Sequence, residues 1–113
     1  RVCDDCSEPY VPTDEILASL SVDLKTLTQA TPRRGAGCVK CGMTGYRGRA
    51  GLYELLTVGD AARQAISPVT DMPRLRKQAL HDGLRPLRLA GAMKVAEGTT
   101  TLEEVLRSTP AWE

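Results

Sequence analysis

The sequence contains no phenylalanine, and three tyrosines and one tryptophan are its only aromatic residues in 113 positions. Its apolar weight falls on Leu, Val and Ala. A small core of that kind gains little per residue, so a second source of stability is expected. No apolar run approaches the roughly 18 residues of a membrane span. The opening Arg1-Val2-Cys3-Asp4-Asp5-Cys6 is no secretory signal, and a first cysteine at position 3 reads as a cut from a longer protein. There is no Gly-Lys dipeptide, which excludes a G-x4-G-K-S/T phosphate loop from these residues. The single histidine, His81, stands beside Asp82-Gly83 and is expected on the surface or at a helix end, not as a base. No serine or cysteine nucleophile has a plausible partner. These residues alone are expected to catalyse nothing.

Charge is balanced overall, with 15 basic and 14 acidic side chains, but it is segregated. Residues 1–30 carry a net of −4 and residues 31–58 a net of +4. Either the two segments fold against each other, or the basic one is reserved for phosphate.

The four cysteines form two C-x2-C pairs, Cys3 with Cys6 and Cys38 with Cys41, separated by 31 residues. Each pair places two thiolates on a tight turn, and four thiolates complete a tetrahedron around Zn²⁺. Disulfides are disfavoured, because no targeting signal is visible and each short-range bridge would span only two residues. A thioredoxin-type site needs one C-x-x-C after a strand, not two matched pairs. Iron in a rubredoxin-like site fits the same ligands; zinc is preferred because nothing else suggests electron transfer. A metal held by four thiolates has no open position, so its role is structural. The surrounding Arg33, Arg34, Lys40, Arg47 and Arg49 would offset the negative charge of such a centre.

The long central gap implies an inserted element, and Thr13-Asp14-Glu15 is a helix start with Ile16, Leu17 and Leu20 on one side. Leu24 and Leu27 continue at helical spacing. Glycines recur at positions 42, 45, 48 and 51 after the second pair, where they permit positive φ and close backbone approach. Leu52–Val58 reads as a strand or extended segment. Helices are expected from Asp60 to Ile66, from an Asp71 cap to Gly83, from Pro86 to Gly98, and from a Thr101-to-Glu104 capping box onward. Their inward residues include Leu75, Ala79 and Leu80, then Leu89, Ala92, Met93 and Ala96, then Leu102, Val105 and Leu106. The expected fold is therefore small α+β. A tetracysteine zinc-ribbon-like module with a helical insertion occupies 1–58, and a helical C-terminal subdomain occupies 59–113.

Gly37-Cys38-Val39-Lys40-Cys41-Gly42-Met43-Thr44-Gly45-Tyr46-Arg47-Gly48-Arg49-Ala50-Gly51-Leu52-Tyr53-Glu54-Leu55-Leu56, preceded by the first cysteine pair and Pro9-Tyr10, closely resembles the tetracysteine region of type II secretion and type IV pilus assembly ATPases. The segments 82–87 and 91–107 resemble that family's helical C-terminal extension. Asp4 stands where the family commonly has proline, and Leu84 where it often has methionine; neither is a metal ligand.

The resemblance implies a C-terminal part of a hexameric, ATP-binding motor for protein transport. Such a motor is cytoplasmic and peripheral to a bacterial inner membrane, where it works with secretion or pilus platform proteins. ATP and Mg²⁺ would bind upstream of residue 1. Zn²⁺ on Cys3, Cys6, Cys38 and Cys41 would let the module brace its own ATPase core or a neighbouring subunit, with Tyr46, Arg47 and Arg49 as contact residues. No direct membrane insertion is expected. The alternative is a stand-alone zinc ribbon binding nucleic acid through the Arg33-to-Arg49 cluster, which the balanced charge and the lack of interleaved aromatics disfavour. A chaperone-type zinc domain is set aside, because Met43 stands where its repeat needs glycine.

Overall fold

The structure is a computed structural model that describes residues 1–12, 15 and 31–110. Apart from Glu15, the expected helical insertion lies outside the described residues. Within them the order is β1 (Ser7–Pro9), β2 (Arg33–Gly35), a 3-10 turn (Val39–Cys41), α1 (Asp60–Ala65), α2 (Met72–His81), α3 (Leu87–Ala96) and α4 (Leu102–Ser108). This is a small α+β architecture. The chain forms two compact units, one of Arg1–Leu52 with Leu87–Glu113, the other of Tyr53–Pro86. Residues 87–110 thus belong with the cysteine-bearing segment, whereas the division expected at residue 58 groups them with the helices before them.

In the first unit β1 and β2 pair antiparallel, with Ser7 opposite Gly35, Glu8 opposite Arg34 and Pro9 opposite Arg33. A two-stranded ribbon tolerates Pro9 because each strand has an unpaired edge for the missing N–H. The register carries the charge segregation into contact. Arg34 reaches Glu8 at 2.8 Å, while Lys40 and Arg47 both reach Asp5, at 3.1 and 3.5 Å. Arg33 donates to the Ser7 hydroxyl and, at 3.0 Å, to the Ser7 carbonyl. These ion pairs are exposed and screened by solvent, so they select the pairing more than they stabilise it.

The core of this unit lies between α3 and α4. Leu102, Val95 and Val105 are its largest fully buried side chains, together with Cys3. The buried side of α3 is Gly91, Ala92 and Val95; the expected Leu89, Met93 and Ala96 are only half-buried. The reason is Gly91. A Cβ there would stand 2.5 Å from Val105 Cγ1, so the bare backbone is what lets α4 approach. Helix α3 ends in a Schellman turn, in which Thr99 N–H donates to the Lys94 carbonyl (2.9 Å) and Gly98 N–H to that of Val95 (2.9 Å). Thr101 then caps α4 by accepting from Glu104 N–H at 3.2 Å.

The second unit holds α1 and α2. Asp71 caps α2 by accepting from Arg74 N–H, Pro73 lies in its first turn, and Gly83 closes it. Leu84 N–H reaches the Ala79 carbonyl (2.9 Å) and Gly83 N–H that of Leu80 (3.1 Å), a second Schellman turn. Ala62 and Ala79 are the buried residues here. Tyr53, Leu55, Ile66, Val69, Met72 and Leu80 are exposed, Val69 to 90%. The segment Leu52–Val58 forms no strand: a strand needs a ladder partner, and among the described residues it has none.

Candidate metal centre

Cys3 and Cys6 lie just before β1, while Cys38 stands at the start of the 3-10 turn beyond β2 and Cys41 is that turn's last residue. Pairing of the two strands therefore brings both turns to one end of the ribbon. Cys3 is buried and the other three are half-buried. The four Sγ atoms all lie within 4.8 Å of one another. Ligands at about 2.3 Å around a tetrahedral ion must stand about 3.8 Å apart. The separations are 3.8 Å for Cys3 to Cys38, 3.9 Å for Cys6 to Cys41 and 3.7 Å for Cys38 to Cys41. A disulfide would require about 2.05 Å. The four thiols are free, and they are positioned to hold a metal ion.

Backbone N–H groups point at the sulfurs. Gly37 N–H donates to Cys6 Sγ (3.3 Å), while Cys38 and Gly45 N–H both donate to Cys41 Sγ (3.3 and 3.2 Å). Burial pushes the Cys6 thiol up to about 12. At Cys41 burial acts in the same direction, but the Cys38 and Gly45 N–H donors together with the neighbouring Cys38 and Cys6 thiols outweigh it and the thiol falls to about 6.

The second turn depends on a glycine contact that periodicity does not reveal. A Cβ on Gly45 would stand 2.5 Å from the Gly35 carbonyl oxygen, and a Cβ on Gly35 would overlap the Gly45 backbone. Gly45 also has φ of 79°, and its carbonyl accepts from Cys3 N–H at 2.9 Å. One residue therefore donates to the second cysteine pair and accepts from the first.

The α3/α4 end is tied to the centre. Val2 N–H donates to the Thr99 carbonyl and Thr31 N–H to that of Ala96, both at 2.8 Å, and Tyr10 donates to Glu103 at 3.0 Å.

Of the three expected contact residues, Tyr46 is 37% exposed with its hydroxyl 2.6 Å from Thr101 Oγ1, and Arg47 faces Asp5. Arg49 is exposed and has no hydrogen-bond or ion-pair partner among the described residues. Sequence reasoning missed Asp5 as the shared partner of Lys40 and Arg47. The signal was present, in an acid lodged between two ligands in the negative segment. His81 is exposed beside Asp82, at 3.5 Å, and lies in the other unit.

Four cysteines positioned to hold a metal ion, beside a two-stranded ribbon that is hydrogen-bonded to a helical pair, define a small α+β module with a tetracysteine site. Residues 1–107 match the family described as Type II/IV secretion system protein, and the chain belongs to that family. It is 38% identical over 109 residues to the type IV pilus assembly ATPase PilB of Thermus thermophilus, covering 96% of this chain and 12% of that protein. It is 39% identical over 108 residues to the type II secretion system protein E of Pseudomonas aeruginosa, covering 96% of this chain and 21% of that one. A third relative, the type IV pilus assembly ATPase TfpB of Acinetobacter baylyi, is 45% identical over 74 residues, 66% of this chain and 13% of its own. The chain thus spans an eighth to a fifth of the length of these relatives. No helix among the described residues is long and apolar enough to cross a membrane.

Proposed function

We propose that Cys3, Cys6, Cys38 and Cys41 hold one structural Zn²⁺ in a zinc-ribbon-like module, and that the module braces a hexameric secretion or pilus assembly ATPase. The observation that carries the metal reading is the set of sulfur separations near a tetrahedral edge. Four thiolates fill the coordination sphere, so the ion supplies folding energy and offers no vacancy for substrate. The residues themselves do the rest: the Gly37, Cys38 and Gly45 N–H groups disperse the sulfur charge, and Asp5 keeps Lys40 and Arg47 close to the cluster.

The bracing role is supported by Tyr53–Pro86, which leaves large apolar side chains outside any core of its own. Side chains such as Tyr53, Leu55 and Val69 suit the surface of the ATPase core or of a neighbouring subunit. Tyr46, Arg47 and Arg49 are the contact residues of the cysteine-bearing unit. ATP and Mg²⁺ bind in the ATPase core and not on these residues. The parent protein works in the cytoplasm against an inner-membrane platform.

Elemental analysis of the purified chain tests the first part, with one zinc per chain expected; iron, or metal-free protein cross-linked through disulfides, overturns it. For the second part, Tyr53→Ser with Val69→Ser in the full-length protein is expected to weaken hexamer assembly and ATP turnover together. Unchanged assembly and turnover remove the bracing role.

A further inference from the structure

We propose that the cleft between the Tyr46–Leu52 loop and helices α3 and α4 receives an acidic, partly apolar peptide segment of a partner protein. The proposal rests on reading Tyr46 and Arg49 as contact residues, and it supplies the chemistry of what they contact. The cleft encloses about 520 Å3, inside the roughly 300–1,000 Å3 of ligand-sized pockets. Its apolar lining comes from Ala50, Leu52, Leu87 and Val105. Around them stand Arg1, Arg49, Lys94 and Arg107 against a single acid, Glu104.

Arg49 and the guanidinium of Arg1 have no partner among the described residues; Arg1 bonds through its amino group alone, to the Gly48 carbonyl at 3.1 Å. Lys94 pairs with Glu97 at 3.3 Å and Arg107 with Glu104, each across one helical turn on the surface. Such exposed pairs are weak and exchange readily for an incoming carboxylate. Guanidinium groups bind carboxylates in a bidentate fork, so Arg49 and Arg107 suit aspartate or glutamate side chains better than a diffuse field would. The apolar lining between them asks for a leucine-like side chain flanked by those acids. Nucleic acid fits less well: the only aromatic at the cleft, Tyr46, has its hydroxyl held by Thr101, and nothing else there stacks on a base.

The test is fluorescence anisotropy of the full zinc-loaded chain with a labelled peptide of leucines flanked by glutamates, beside a counterpart with lysine for every glutamate. Saturable binding of the acidic peptide is expected, weakening with added salt. Arg49→Glu and Arg107→Glu should each weaken it by about tenfold or more. Arg49→Lys should lie between, and Arg74→Glu in the other unit should leave binding unchanged. Zinc content and far-ultraviolet circular dichroism confirm that each variant is folded; Arg49 bonds to nothing among the described residues, so its reversal keeps the proposal testable. Equal binding of the basic peptide, or indifference to both reversals, overturns it. So does a preference for phosphatidylglycerol vesicles or duplex DNA that Arg49→Glu abolishes, since the cleft would then serve another class of ligand. Failed peptide binding by zinc-loaded protein sinks this proposal alone, whereas normal hexamers after Tyr53→Ser with Val69→Ser sink the bracing role alone.

Discussion

The hydroxyl of Tyr46 lies 2.6 Å from the Oγ1 of Thr101, the residue that also caps α4. A side chain from the glycine-rich loop beyond the second cysteine pair is thereby joined to a helix 55 residues further along. The same loop pairs with the chain start through the Val2–Tyr46 bridge.

Tyr46→Phe removes one half-buried hydrogen bond and should cost about 1 kcal/mol. Thr101→Ala removes that bond and the helix cap, and should cost about 1–2 kcal/mol. Because the two changes share a bond, the double variant should lose less than the sum of the single losses. Urea unfolding of the zinc-loaded chain measures all three. Strict additivity would show that the two residues do not support each other.

The Gly35–Gly45 contact makes a harsher prediction. Gly45→Ala combines a left-handed φ with a Cβ driven against the Gly35 carbonyl, and should destabilise by at least about 3 kcal/mol. Gly35→Ala tests the close approach apart from the conformational strain, because Gly35 does not sit in the left-handed region. Both variants should surrender metal to a chelator far sooner than the parent chain, since Gly45 serves both cysteine pairs. Parent-like chelator resistance in Gly35→Ala would mean that the ribbon can part there without cost.

The cysteine spacing, the helix caps and the opposed charge segments were legible because each is a local chemical rule. Asp71, Thr101, Gly83 and Gly98 mark helix ends by their own conformational preferences, and the structure uses all four. The buried side of α3 was legible only at Ala92. Periodicity selects large apolar residues and so favoured Leu89 and Met93, whereas the contact with α4 turns on the absence of a side chain at Gly91. Leu52–Val58 forms no strand for a related reason: strand propensity reports a surface ready to pair, and pairing needs a neighbour. The Gly35–Gly45 approach joins residues from different turns, and no pattern within either turn announces it.

Gly91→Ala decides between two opposed effects. Alanine gains about 1 kcal/mol of helix propensity over glycine. Its Cβ would stand 2.5 Å from the methyl of Val105, a residue 1% exposed with nowhere to move, and overpacking of that kind costs about 1–3 kcal/mol. Net destabilisation is therefore expected. Val105→Ala alone should also destabilise, by about 2 kcal/mol, through the cavity it leaves. Together the two should cost less than their sum, because the new methyl fills the space that the old ones vacate. A double variant weaker than the sum of its parents would show that the helices meet differently.

Metal removal reports which residues fold together. The centre reaches α3 and α4 through the Val2–Thr99 and Thr31–Ala96 backbone bonds, the Tyr10–Glu103 bond and the Tyr46–Thr101 contact. Structural zinc contributes about 10–16 kcal/mol in small peptides, comparable to the whole stability of a domain of this size. Exhaustive chelation should therefore collapse amide-exchange protection in 1–52 and in 87–110 together. Residues 53–86 bury little beyond Ala62 and Ala79, so their protection should be weak before chelation and change least after it. Exchange read by mass spectrometry separates the possibilities. Retained protection across 87–110 would mean that the helical end folds without the cysteines, with the boundary at residue 58 that the sequence suggests; loss of both segments at one chelator concentration makes the metal the keystone of a discontinuous unit.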